Sequence, residues 1–342
     1  MKTSTVNLVT DYLGLRLAHP FIAGASPLSD RLDSIRKLED AGASAIVLRS
    51  LFAEQLSLES DAAHAFIEAH EESFAEATSY FPTTVDYAIG PERYLTHLAS
   101  VKEAVSIPVI ASLNGTTIGS WTDFAIQLEA AGADALELNL YLHPSSFDRS
   151  GVSIEQECLE TIAAVRRVTR LPLAVKISPF FSSIPHFASQ AVGAGANAIV
   201  LFNRYYQPSI NIDDLEVVPS LRLSDSSELL LRIRWTSLLY RRINCQLAIT
   251  GGVHTCTDAI QGIMAGANVL QLVSLLLREG PNAITNLVSE LQHWMEEKEY
   301  ESIDEMRGSM SALHSPNPEA FERANYIQIL QTWKVDYSRN WN

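Results

Sequence analysis

Cysteine is scarce in this chain of 342 residues: there are three, at positions 158, 245 and 256, and no C-x-x-C pair. That spacing excludes a zinc site or an iron–sulfur cluster built from this sequence alone, and no metal is expected. The odd count fits a reducing compartment. Positive charge is also short. With 25 Lys and Arg against 40 Asp and Glu, the formal net charge is −15, which argues against nucleic acid and against an anionic membrane as partners. No long apolar run opens the chain, since Leu8-Val9 gives way to Asp11, too short a run for a signal peptide or membrane anchor. A cytoplasmic protein is expected. No Gly/Ser/Pro linker divides the sequence, and no G-x-G-x-x-G follows the first apolar run, so a dinucleotide-binding sheet lacks its signature.

What is present is an alternation of short β-type runs with amphipathic helical stretches. Eight runs read as strands: Phe21 to Ser26, Ala45 to Ser50, Pro108 to Asn114, Ala135 to Tyr141, Leu173 to Pro179, Ala198 to Arg204, Gln246 to Gly252 and Val269 to Ser274. Helical stretches such as Asp33 to Ala41, Trp121 to Ala131, Ile154 to Thr169 and Ser226 to Ile243 lie between them. Four helices end in the same Ala-Gly-Ala punctuation, at Gly42, Gly132, Gly195 and Gly266, where glycine can stop a helix before the chain enters the next strand. Eight such units favour an α/β fold of the (β/α)8 TIM barrel type over an open doubly wound sheet. One barrel domain over residues 1–342 is expected, with insertions at about 51–91 and 205–227 and a carboxyl-terminal extension from about 309. Both insertions follow strands at the end where barrels assemble their sites.

Polar groups gather at those strand ends. Lys176 sits in Ala174-Val175-Lys176-Ile177-Ser178-Pro179, an apolar run that delivers an ammonium group to the barrel mouth. Such a charge either finds an anionic or electron-accepting ring or escapes to solvent. Asn139 and Asn203 end strands four and six, and amides with one ammonium suit a planar polar heterocycle. Gly251-Gly252 after strand seven and Val273-Ser274 after strand eight occupy the recurrent phosphate position of such barrels, although Gly-Gly alone is also a plain tight turn.

Together, His19-Pro20-Phe21 through Ala25-Ser26, Glu137-Leu138-Asn139, the Lys176 segment, Ile249-Thr250-Gly251-Gly252-Val253 and Ala265-Gly266-Ala267 through Gln271 and Ser274 resemble the dihydroorotate dehydrogenases, nearest the soluble class 1 enzymes. The resemblance runs from about Leu13 to Gly308. It implies a (β/α)8 barrel with FMN at its carboxyl-terminal mouth, and pyrimidine biosynthesis as the setting. Ala25 and Ser26 would lie against the flavin. Asn139 and Lys176 would contact its ring, with Asn114 nearby, and Gly251, Gly252, Val273 and Ser274 would hold its phosphate. Lys176 would stand where a positive charge stabilises reduced flavin.

The substrate half departs from the family pattern. The family carries a catalytic cysteine or serine shortly after the strand-four asparagine, whereas this chain reads Asn139-Leu140-Tyr141-Leu142-His143-Pro144-Ser145-Ser146. His143 is the candidate proton carrier, since its ordinary pKa lies near neutrality; an exposed loop histidine without a role is the alternative. Asn203 and Arg49 are the candidate substrate contacts, and Arg49 offers a planar fork to a carboxylate. Three readings follow: a dihydroorotate-oxidising flavoenzyme, a divergent flavin oxidoreductase acting on another small anion, or a non-catalytic electron-relay subunit of a redox complex. Family analogy leaves room for a homodimer or a redox partner protein.

Overall fold

The computed structural model describes residues 6–52, 91–115, 117–141, 147–204, 209–213, 215–218, 222–315 and 318–332. Eight parallel strands form the central sheet: β1 (Phe21–Ala23), β2 (Ile46–Val47), β3 (Val109–Asn114), β4 (Ala135–Asn139), β5 (Leu173–Ile177), β6 (Ala198–Leu201), β7 (Gln246–Thr250) and β8 (Val269–Leu272). Each pairs with the next, and β8 returns to β1 with Leu270 opposite Phe21 and Leu272 opposite Ala23, so the sheet closes. Helices pack around it, and the fold is the (β/α)8 barrel expected from the sequence.

Period-two alternation sorts each strand between two cores. On β4, Leu136 and Leu138 face outward into the large cluster with helix residues such as Phe124 and Ile162, while Ala135 belongs to a separate interior cluster. The interior is floored by small side chains, Ala45, Ala135, Ala174, Ala198 and Ala248, which leave room for Tyr12, Leu13 and Leu17. Those three belong to an amino-terminal hairpin not foreseen from sequence, with Thr10–Tyr12 antiparallel to Leu15–Leu17. Its two-residue turn has φ of 54° at Leu13 and 72° at Gly14, the sign pattern of a type I′ turn.

The four punctuating glycines all have positive φ, from 90° at Gly132 to 126° at Gly266. At Gly266 a Cβ would also stand 2.5 Å from the Tyr240 ring, so both conformation and space demand glycine. The second strand is interrupted: after Val47 the chain leaves the sheet, and Leu51–Phe52 rejoins it beside Leu113 and Asn114. Of the insertion at about 51–91, residues 53–90 lie outside the described residues. Within 205–227, Ser209–Asn211 and Glu216–Val218 pair as a short antiparallel hairpin. No helix among the described residues is long and apolar enough to cross a membrane.

Candidate active site

The carboxyl ends of the strands surround a cavity of about 490 Å³. Ala25, Ser26, Arg49, Asn139, Lys176, Asn203, Gly251, Val273 and Ser274 all line it, so most of the strand-end residues singled out in the sequence converge on one space, whereas Gly252 does not line it. His143 lies outside the described residues. Asn114 stands one layer back: it is 4% exposed, and its amide nitrogen donates to the Asn139 carbonyl oxygen at 2.9 Å.

Lys176 has a protein partner. Its ammonium lies 3.3 Å from Oε1 of Glu137, whose side chain is 1% exposed. The other carboxylate oxygen of Glu137 accepts from Nε2 of Gln271 at 2.6 Å. Glu137 shares the inward face of β4 with Asn139 because they are two residues apart, and alternation alone would have found it. A buried carboxylate with an ammonium and an amide around it is satisfied, and the ammonium is held at the cavity wall.

Above this network, Asn139 donates through Nδ2 to Ser50 Oγ at 3.2 Å, and Ser50 shares a 2.7 Å hydroxyl contact with Ser112. Asn139 Oδ1 is buried without a partner among the described residues. An orphaned buried acceptor is costly, and at a cavity wall it is a position kept for a ligand donor. Asn203 donates through Nδ2 to the carbonyl oxygens of Leu140 and Lys176 at 3.3 and 3.2 Å, tying the ends of β4 and β5 together. Arg49 donates through Nη1 to Asp30 Oδ2 at 2.9 Å, so its fork is partly engaged within the protein.

The predicted phosphate corner is built differently from a bare Gly-Gly loop. Gly251 and Gly252 have φ of 81° and 85°, and a Cβ on Gly252 would stand 2.5 Å from the Leu229 backbone nitrogen. The Gly252 N–H donates to Ser224 Oγ at 3.2 Å, and Ser224 Oγ donates to Ser274 Oγ at 2.9 Å. The following helix, Cys256–Ala265, is capped by Thr255 and Asp258. Positive charge comes from Arg232, 5% exposed, which packs against Gly251 and is held by the carbonyl oxygens of Thr250 and Glu228. Burial pulls its guanidinium below its usual pKa, opposed by Glu228, whose carboxylate bridges Arg232 and Arg204 at 3.6 and 3.2 Å. Neither Ser224 nor Arg232 carries a sequence signal; each comes from the irregular or helical chain after β6.

None of the three cysteines lines this cavity. Burial pushes their thiols up, to about 12 at Cys158 and Cys245 and about 11 at Cys256, so none is primed as a base or nucleophile. In size and chemistry the site suits a planar heterocycle that donates to Asn139 and bears an anionic arm near Gly251 and Arg232.

A family model described as dihydroorotate dehydrogenase matches residues 87–295. The dihydroorotate dehydrogenase B (NAD(+)) catalytic subunit of Methanothermobacter thermautotrophicus is 26% identical over 310 residues, covering 88% of this chain and 97% of that protein. The subunit of the same name from Thermoplasma volcanium is 26% identical over 307 residues, covering 88% and 98%. A putative dihydroorotate dehydrogenase A (fumarate) from Aeropyrum pernix is 28% identical over 217 residues, covering 62% and 70%.

Proposed function

The chain belongs to the dihydroorotate dehydrogenase family, and from that premise we propose that it is an FMN-dependent enzyme oxidising dihydroorotate to orotate at the mouth of its barrel, in pyrimidine biosynthesis. The observation that carries this reading is the Glu137–Lys176–Gln271 network beneath Asn139, whose unpaired acceptor borders the cavity. Bound FMN would supply the two-electron acceptor. Ala25 and Ser26 would lie against its ring, Asn139 and Lys176 would hold its polar edges, and Gly251, Gly252, Val273, Ser274 and Arg232 would hold its phosphate. Glu137 fixes the Lys176 ammonium, which stabilises negative charge developing beside it. Arg49 and Asn203 orient the substrate acid, and His143 takes its proton. The relatives' names speak of a catalytic subunit, and a separate electron-accepting subunit completes the proposal.

The test is the visible spectrum of the purified chain, then anaerobic titration with dihydroorotate. A yellow protein that bleaches supports both halves. A colourless protein that takes up no added FMN overturns the cofactor, and a yellow one that stays oxidised overturns the substrate. Lys176→Ala should weaken FMN binding about tenfold or slow its reduction comparably; unchanged affinity and rate would remove Lys176 from the site. His143→Ala should slow flavin reduction by about 10²-fold or more at full FMN occupancy, as expected for a lost general base. An unaltered rate would send the search for the base to Tyr141 or the serines beyond it.

A further inference from the structure

A second cleft, of about 840 Å³, opens at the amino ends of β5 to β8, the opposite end of the barrel from the mouth. Arg166, Arg170, Arg241, Arg242 and Arg307 line it, and no Asp or Glu does. Five of the chain's 25 Lys and Arg residues thus converge on one concavity of a protein with formal charge −15. Their contacts leave most of that charge in place. Arg166 donates to the carbonyl oxygens of Thr169 and Leu171, and Arg242 to those of Ala312 and Ser315. Arg241 lies over the Tyr240 ring, 5.3 Å from its centroid. Arg307 alone of the five forms a side-chain ion pair among the described residues, at 2.7 Å from Asp304. The Arg170 guanidinium has no partner among the described residues.

Helix ends account for part of this grouping. The helices Gly151–Val168 and Leu229–Leu239 finish at the cleft, and a helix carboxyl end carries roughly half a negative charge, which attracts arginine. Two such ends, Asp304, and Glu129, which accepts the Arg170 backbone N–H at 3.2 Å, leave roughly two positive charges without compensation. Guanidinium forks match phosphate and carboxylate oxygens. The volume lies in the usual range for small-molecule sites; of its apolar lining residues Leu13 and Leu247 are buried, and Pro172, Tyr240, Ile243 and Cys245 show only part of their surface beside the five arginines.

We propose that this cleft binds a multivalent oxyanion, a phosphorylated or polycarboxylic small molecule, separately from the chemistry at the mouth. Isothermal titration calorimetry of the full chain with inorganic pyrophosphate and with citrate, at fixed ionic strength, tests it. The expected result is saturable binding at one site per chain, weakened about tenfold or more by Arg170→Ala combined with Arg241→Ala, with the unfolding midpoint unchanged. Arg170→Glu, which leaves the backbone at Arg241 untouched, should weaken binding at least as much. Tighter pyrophosphate supports the phosphoryl form of the proposal and tighter citrate the polycarboxylate form. Absence of saturation up to about 10 mM, or equal affinity in wild type and both variants, overturns it.

Discussion

The lower and upper halves of the barrel interior are made by the same strands two residues apart, and their chemistry is opposite. On β4 the inward side chains run from Ala135 to Glu137 to Asn139; on β5 from Ala174 to Lys176; on β8 from Val269 to Gln271. The lower half is apolar and is plugged by Tyr12, Leu13 and Leu17 from the amino-terminal hairpin. The upper half is a polar network that ends on an orphaned acceptor at the cavity. One half therefore stabilises the barrel and the other half equips it, and one step of strand alternation separates the two roles. Tyr12 sits at the boundary, where burial first and the charge of Glu137 second raise its phenol well above its usual pKa.

The largest expected effect comes from emptying the lower half. Tyr12 is fully buried against a floor of alanines, so Tyr12→Ala leaves a cavity its neighbours are too small to fill, and should cost about 4 kcal/mol. Chemical denaturation reads this directly; a loss below about 1 kcal/mol would mean the hairpin does not plug the barrel. Next is Glu137→Ala, which strands the Lys176 ammonium. Because the lysine side chain keeps 12% exposure, the loss should sit near the lower end for a broken buried pair, about 3 kcal/mol. The double change Glu137→Leu with Lys176→Met should recover stability to within about 1 kcal/mol of wild type while losing FMN affinity. Retained affinity in that double variant would erase the distinction between the halves.

The barrel was legible because its signals are repetitive. Eight apolar runs, four Ala-Gly-Ala stops and period-two alternation each recur, and their sum outweighs any local error at a strand end. The amino-terminal hairpin was not legible: its strands are three residues each, and its turn places Leu13 at positive φ ahead of Gly14, where Asn, Asp or Gly is the usual first residue. The cavity wall was legible wherever a polar residue ended an apolar run, as at Asn139, Lys176 and Asn203. Its supporting residues were harder to see. Alternation puts Glu137 on the inward face with Asn139, but only the fold shows that it meets Gln271 across the barrel, and Arg232 reaches Gly251 from a helix with no periodic mark of that purpose.

A smaller effect sharpens the boundary. The Tyr12 hydroxyl is buried with no partner among the described residues, so the aromatic ring stabilises the lower half while the oxygen burdens it. Tyr12→Phe keeps the packing and removes the unpaired group, and should raise stability by about 1 kcal/mol. A loss of that size instead would place the hydroxyl within the polar half, bonded to its network.

The smallest effect is a pH slope at the foot of β1. His19 accepts the Phe21 N–H at Nδ1, 3.2 Å away, and lies 2.6 Å from the Gly42 carbonyl oxygen at Nε2, which fixes the neutral ring with its proton on Nε2. Burial lowers its pKa from 6.5, only partly opposed by the bond to Gly42. The unfolded chain therefore binds the proton more readily than the folded one. Stability contributed by His19 is complete above the unfolded value of 6.5 and falls as pH drops below it toward the lower folded value. Denaturation at about pH 7 and about pH 5.5 should show a larger loss in wild type than in His19→Gln, whose amide does not titrate. Equal losses would mean that the acid-linked loss does not arise at His19.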